Sequence, residues 1–516
     1  MRTPPFFNRT LATGIILSSV SILAFIAGMR IMNYGVGASP DSVCYIDMAR
    51  NILARLSFSC LVRGRGAFPP GYPLLLAINS SFGSDPLDTA RWLNAYIYAL
   101  NSALVGILVY LSSKKSGLAA IIAQLLFLSS SSLLTLHTMA WSEPPYILFL
   151  LLTFLFFIVY IQKPNIFLLL FTSILASLVL LTRYIGISVI PTIILAMLLL
   201  KYKPLKERLK DSLIFLTIAS FPLALWMIVN YFGSNNIGDR VKVFHPIDYS
   251  EIKSIISVLT NYFLPKISLS SSQVWIIFGI TSSLILVGII LSIRGYIKDK
   301  LRNRVEIATL VLLISFILIY MLVLVISISF FDASTPLDFR ILAPIYVADI
   351  ILILTIIQQS TNFWGKLTIR WLFILLSAVI IYINATQFRV TALQIQKNGE
   401  GYSSLQWKVS KSIQFINSLP KDSLIVSNDP EVIYFLAGRY TNSLPYKEDP
   451  TTTLSNPNFQ TEMINLTNDL SQKDTYVVVF KKIDRAFLPS RTELSKNYHL
   501  PKLLDLDDGV VFGIRQ

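Results

Sequence analysis

The 516-residue sequence predicts an α-helical polytopic membrane protein that ends in a small extracytoplasmic α/β domain. Three observations lead there. Hydrophobic residues make up 54% of the chain against 14% charged, apolar runs of spanning length recur along most of it, and the pattern turns to short alternating helices and strands after about residue 389. A chain this apolar cannot fold as one water-soluble globule. The net charge of +15 does not point to nucleic acid, because Lys and Arg fall in short clusters between apolar runs and no basic patch interleaved with aromatics occurs.

Apolar windows of roughly 17 to 25 residues place crossings near 11–31, 89–111, 118–136, 145–162, 166–182, 184–200, 212–232, 273–293, 305–330, 340–358 and 370–388, about eleven in all. The first follows a short charged start and is long enough to stay as a signal anchor rather than be cleaved. With the N-terminus cytoplasmic, the inner loops carry Lys114 and Lys115, Lys163, the cluster from Lys201 to Lys210 and the cluster from Arg294 to Arg304. That is the distribution the positive-inside rule requires. The long polar intervals, 33–88, 233–272, 331–340 and everything after 388, then lie on the outer side, where any chemistry is expected.

In the first outer interval Ser39 and Pro40 are suited to start a helix. Val43, Ile46, Ala49, Leu53 and Leu56 recur at helical spacing, which predicts an amphipathic helix along the membrane surface. Next come Arg63-Gly64-Arg65-Gly66, then Phe68-Pro69-Pro70-Gly71-Tyr72-Pro73 and the run Leu74–Ile78, too short to span. The only cysteines, Cys44 and Cys60, fall in this interval, where either a disulfide or two packed thiols fits an outer compartment.

The chain divides into a membrane part, 1–388, with the interface helices of loop 33–88, and an α/β part, 389–516. In the latter, Ser403–Leu419 reads as a helix, Ser423–Ser427 as a strand, Glu431–Ala437 as a helix ended by Gly438, and Thr475–Phe480 as a strand. Leu503–Leu506 and Val510–Ile514 read as a hairpin across Asp507-Asp508-Gly509.

Few residues could carry chemistry. Asp41 opens the surface helix just outside a crossing, either as a first-turn acid complementing the helix dipole or as a working carboxylate. Asp47 has Arg50 at i+3 as a ready ion-pair partner. Glu143 sits in the turn Trp141-Ser142-Glu143-Pro144 at membrane depth, where a carboxylate is kept for a partner or a function; His137 nearby does not complete a metal ligand set with it. Arg183 and Arg340 stand at the same outer level, placed either to snorkel to lipid headgroups or to fork onto a phosphate. No Walker A loop, dinucleotide glycine fingerprint, Gly-x-Ser-x-Gly elbow or His-Glu-x-x-His sequence is present.

Taken in order, Pro-Asp-Ser-x-x-Tyr-Ile-x-x-Ala-Arg from Pro40, Phe-Pro-Pro-Gly-Tyr-Pro from Phe68, Trp-Ser-Glu-Pro from Trp141, Leu-Thr-Arg-Tyr-Ile-Gly from Leu181 and Phe-Arg-Ile-Leu-Ala-Pro from Phe339 resemble the GT-C membrane glycosyltransferases. The likeness covers about residues 1 to 390 and is nearest to the branch of protein O-mannosyltransferases, aminoarabinose transferases and bacterial lipopolysaccharide glycosyltransferases. It implies a GT-C fold and a polyprenyl-phosphate-linked sugar donor. It also implies an acceptor that is lipid, glycan or protein, and a catalytic Asp at the position of Asp41. Glu143, Arg183, Arg340 and Tyr45 are then expected at the substrate. The sequence departs from the pattern at Asp41-Ser42, where mannosyltransferases often have Asp-Glu, leaving a divalent metal (Mg or Mn) open. It departs again at Gly71, near which aminoarabinose transferases carry a Lys, leaving Arg63 or Arg65 as substitutes. The inverting chemistry would need one carboxylate as base and positive charge on the departing phosphate. A transporter or flippase of lipid-linked sugars is the alternative, but transporters concentrate ionisable residues mid-bilayer and are often built from repeats, whereas here the acids cluster at one face and no repeat is seen. A third reading is a non-catalytic receptor whose α/β part binds glycan.

Overall fold

The computed structural model describes residues 5–61, 64–65, 68–234, 242–265, 272–276, 304–333, 335–364, 367–472 and 474–514, with isolated positions between 279 and 290. Among them, seven helices are long and apolar enough to cross a membrane: Arg9–Ile31, Pro86–Ser112, Glu143–Gln162, Leu205–Phe232, Val305–Phe330, Phe339–Gln358 and Trp371–Asn398. The helices Gly117–Ser129 and Ser131–Thr138 meet at 63° and would make an eighth as one broken span. This is the architecture of an integral multi-pass membrane protein.

The expected count of about eleven is therefore not reached among the described residues. Ile166–Thr182 and Tyr184–Leu199 are apolar but short, the latter opening as a 3-10 turn over Tyr184–Ser188, and the window 273–293 lies largely outside the described residues. Gly71–Ser80 forms a helix of 10 residues that buries Tyr72, Leu76 and Ala77. Gly71 permits its entry, since a Cβ there would stand 2.6 Å from the carbonyl oxygen of Leu181.

The helix Pro40–Arg55 is more enclosed than an amphipathic surface helix. Ser39 precedes it in extended conformation, Pro40 supplies a fixed φ at its first turn, and Leu56 ends it at φ 54°. Ser42 to Ala49 are all buried, whereas Leu53 and Leu56, expected on the apolar face, are exposed, Leu56 by 83%. The cause is cover on two sides. Tyr45 packs against Phe68 and Tyr72, and Val43 against Tyr402 and Trp407 from the C-terminal part of the chain. Cys44 and Cys60 are joined as a disulfide that ties the helix to the two-stranded ribbon of β1 (Ser59–Cys60) and β2 (Gly64–Arg65).

Asp47 does not pair with Arg50. It accepts from the Leu61 amide at 2.7 Å and the Tyr434 hydroxyl at 2.8 Å, while Arg50 makes two 2.9 Å bonds to Asp85. The Asp85 carboxylate also caps the next helix through Leu87 N, so a bidentate partner outcompetes the same-helix neighbour.

The last spanning helix continues to Asn398. Beyond it lies a five-stranded mixed sheet in the order β4-β3-β5-β7-β6, formed by β3 (Leu424–Ser427), β4 (Asn442–Ser443), β5 (Thr475–Phe480), β6 (Lys502–Asp505) and β7 (Gly509–Phe512). β3 runs parallel to β4 and β5, and the antiparallel β6–β7 hairpin completes the sheet on the β5 side. Two helices missed in the sequence, Phe459–Gln472 and Arg491–Lys496, pack here. The single helix expected over Ser403–Leu419 is two, Leu405–Lys408 and Lys411–Ser418. Ser410 breaks it by capping the second through Ile413 N at 3.1 Å.

Candidate active site

The segment leading to Asp41 is held as the middle strand of a small backbone clamp. Gly37 N donates to Thr138 O and Ala140 N to Gly37 O, both at 2.8 Å; on the other side Tyr402 N donates to Ala38 O at 2.8 Å. Both contacts are close at a glycine, and at Gly401 the backbone itself requires one. A Cβ on Gly37 would lie 2.2 Å from Met139 Sδ, and one on Gly401, at φ +54°, 2.0 Å from Ala38 O. Asn94 Nδ2 secures the flanking Met139 carbonyl at 2.6 Å. Asp41 thus follows three residues after a rigid anchor.

Glu143 opens its helix ahead of Pro144 and Pro145, and its side chain is only 1% exposed. Its Oε1 atom bridges two guanidinium groups: Arg340 Nε donates at 2.8 Å, and Arg183 Nη1 lies in direct contact. Oε2 has no hydrogen-bond partner among the described residues. Arg183 is a single extended residue between Thr182 and the 3-10 turn, a conformation that turns its side chain to Glu143 and to Ser142 Oγ at 3.4 Å. Arg340 reaches from the first turn of helix Phe339–Trp364, and its Nη2 donates to Asp41 Oδ2 at 3.2 Å.

Asp41, Glu143, Arg183 and Arg340 therefore form one charge-balanced chain of ion pairs, joining positions 299 apart in sequence. Exposure grades along it: Arg183 18%, Arg340 19% and Asp41 26% against 1% for Glu143. Glu143 is the buried anchor and Asp41 the open end. Such a pair is costly to bury and strongly destabilising to break singly, so its geometry is held firmly.

Tyr45 lies beneath, its hydroxyl 3.2 Å from Ser142 Oγ. Burial first, and then the negative charge of Asp41 and Glu143, push this hydroxyl well above its ordinary value, so it stays protonated. Three contributors were missed in the sequence. The Trp141 ring stacks on the Arg340 guanidinium at 3.9 Å and its Nε1 donates to Ser39 Oγ at 2.8 Å, linking the arginine to the start of the Asp41 helix. Ser142 joins Tyr45 to Arg183. Asp338 caps Arg340 N at 2.8 Å and Ile341 N at 3.3 Å, its carboxyl raised by burial. Trp141 and Ser142 stand in the Trp-Ser-Glu-Pro motif and Asp338 two residues before Arg340, but only the fold turns those side chains toward one another.

Arg63 lies outside the described residues, and the Arg65 side chain likewise; Arg65 has only its backbone placed, in β2. His137 turns away from Glu143, its Nδ1 donating to Leu133 O at 2.7 Å and its Nε2 accepting from Asn101 at 3.0 Å. Among the described residues no three His, Cys, Asp or Glu side chains group as metal ligands, and Asp41 and Glu143 are both engaged by Arg340. The described residues of this site do not by themselves make a metal ligand set.

Across 97% of this chain and 99% of the other, the structure is similar to that of ArnT from Cupriavidus metallidurans bound to undecaprenyl phosphate, with TM-score 0.58 and 12% identity. The fold is that of the GT-C glycosyltransferases. Oligosaccharyltransferase AglB from Archaeoglobus fulgidus, in complex with an inhibitory peptide and a dolichol-phosphate, has the same GT-C architecture: TM-score 0.52 and 13% identity over 90% of this chain and 69% of that one. A family model described as dolichyl-phosphate-mannose-protein mannosyltransferase matches residues 61–236, a stretch that includes Glu143 and Arg183 and stops well short of Arg340. No curated protein matches the sequence.

Proposed function

We propose that the protein is an inverting glycosyltransferase that moves a sugar from a polyprenyl-phosphate donor to a lipid, glycan or protein hydroxyl at the outer face of the membrane. The observation that carries this reading is the four-residue ion-pair chain. It offers one partly open carboxylate and two guanidinium groups fixed from behind by a buried glutamate, within a GT-C fold. Asp41 acts as general base. It takes the acceptor hydroxyl proton as the acceptor oxygen bonds to the sugar's anomeric carbon, and the bond from that carbon to the donor phosphate breaks, its electron pair leaving with the polyprenyl phosphate.

Arg340 and Arg183 hold the charge developing on that phosphate. Arg340 is bound through Nε to Glu143 at 2.8 Å but through Nη2 to Asp41 at 3.2 Å, so its looser end faces the base. A phosphate arriving there competes for Nη2, releases Asp41 from its pair and strengthens it as a base at the moment the donor is bound. Chain direction supports the outer location. The helices beginning at Glu143 and ending at Thr182 have Lys163 and Asn165 at their other ends, and the basic stretch Lys201–Lys210 shares that far side. In this orientation residues 389–516 form an extracytoplasmic domain above the site.

The purified protein, given radiolabelled polyprenyl-phosphate sugars and membrane extract as acceptor, is expected to transfer label from lipid-linked donor to product and release polyprenyl phosphate. Failure both to transfer any sugar offered and to bind undecaprenyl phosphate would overturn the reading.

A further inference from the structure

Arg340 is fixed through its backbone as well as its side chain. Tyr262, near the end of helix Tyr249–Phe263, donates its hydroxyl to Phe339 O at 2.5 Å. Tyr320, from helix Arg304–Phe330, donates to Ile341 O at 2.6 Å. These are the carbonyls on either side of Arg340, and two separate elements hold them. Both tyrosines are buried; the Tyr262 ring stacks on Tyr346 with centroids 4.1 Å apart and planes 14° apart, and Tyr320 packs against Phe316.

Pro344 weakens the hydrogen-bond ladder of the same turn. A proline inside a helix has no N–H, so the Arg340 carbonyl loses its usual donor four residues on, and the ring crowds that same carbonyl. The turn bearing Arg340 cannot be held by its own hydrogen-bond ladder alone. Asp338 secures its amides and the two tyrosines its carbonyls. Helix Tyr249–Phe263 is anchored in turn: Asn384 Nδ2 donates to Phe263 O at 2.9 Å, and a capping box of Asp248 and Glu251 fixes its start.

We propose that Tyr262 and Tyr320 are positioning residues for Arg340, holding its turn so that one guanidinium meets Glu143, Asp41 and the donor phosphate together. This rests on the reading of Arg340 as phosphate ligand. A displacement of about 1 Å in such a group costs on the order of a hundredfold in rate, which makes two dedicated backbone contacts consequential.

The test measures binding of undecaprenyl phosphate to the full-length protein in detergent. Tyr262→Phe and Tyr320→Phe each remove one hydroxyl and keep the ring; each is expected to weaken binding about 3- to 10-fold, and the pair more. In an Arg340→Ala background the same changes are expected to have no further effect, which a merely structural role would not produce. Tyr160→Phe, a buried tyrosine bonded to Asp211 at the far end of helix Glu143–Gln162, is the control for general softening and should bind as the unaltered protein does. Unweakened binding by the double tyrosine variant, or equal losses on top of Arg340→Ala, overturns the proposal while leaving Arg340 as ligand. If Arg340→Ala itself binds normally, the reading of Arg340 falls and the positioning role with it.

Discussion

Replacing Glu143 with Gln tests the buried anchor. Glutamine keeps the shape and one acceptor oxygen but removes the charge that Oε1 shares between Arg183 and Arg340. Two guanidinium groups, each less than a fifth exposed, are then left with Asp41, paired with Arg340, as the remaining carboxylate of the ion-pair chain. Breaking a buried pair by removing one partner costs about 3–5 kcal/mol, and the retained acceptor places this change near the lower figure. At about 1.4 kcal/mol per power of ten, a loss near 3 kcal/mol is on the order of a hundredfold in the folded-to-unfolded ratio. The assay is unfolding of the detergent-solubilised protein by SDS titration. Glu143→Gln should unfold at clearly lower SDS, and Glu143→Gln with Arg183→Met should recover part of the loss, because the second change removes an uncompensated buried charge. Equal stability of Glu143→Gln and the unaltered protein, or simple additivity of the two changes, would refute the anchoring role.

Other contacts give further expectations. Replacing Cys44 and Cys60 by serine opens a loop with a separation of 16 residues and should cost about 3 kcal/mol, read as lower SDS resistance that reduction of the unaltered protein reproduces. Gly401→Ala places a Cβ 2.0 Å from Ala38 O at a positive φ, so the clamp on the Asp41 segment should loosen; the expected signs are faster proteolysis between residues 399 and 405 and reduced transfer. Burial raises the Glu400 carboxyl from 4.5 to about 7, against the opposing bond from Thr138. The folded state therefore holds this proton where the unfolded state has released it, and stability should fall as pH rises from about 4.5 to about 7, by up to about 3 kcal/mol, then level off. Glu400→Gln should flatten that segment of the stability profile, and an unchanged slope would count against it.

The membrane helices were legible because an apolar run of spanning length is a property of local composition, as at Glu143–Gln162 and Pro86–Ser112. Short pieces such as Tyr184–Leu199 were harder, since hydropathy does not register a 3-10 entry or a single extended residue like Arg183. In the C-terminal part, Thr475–Phe480 announced itself by its β-branched run, whereas Asn442–Ser443 has no strand signature and is defined only by pairing with β3. At the site, Asp41, Glu143, Arg183 and Arg340 could be singled out by their level at the membrane boundary, but not the sharing of Glu143 Oε1 by the two arginines or the reach of Arg340 to Asp41. Asp47 illustrates the limit: a neighbour three residues away was visible, and Tyr434, one of its two actual partners, was 387 residues distant. Tyr262 and Tyr320 carried no signal at all, because an aromatic residue at helical spacing is ordinarily packing, and only the carbonyl it reaches distinguishes it.

Asp41→Asn, assayed for sugar transfer from a polyprenyl-phosphate donor in membranes at matched expression, addresses the base most directly. Asparagine keeps the size of the side chain and an oxygen for Arg340 but cannot accept the acceptor's proton. Transfer is expected to fall by about a hundred- to ten-thousandfold while undecaprenyl phosphate still binds. Transfer at the rate of the unaltered protein would contradict the assignment of Asp41 as the base.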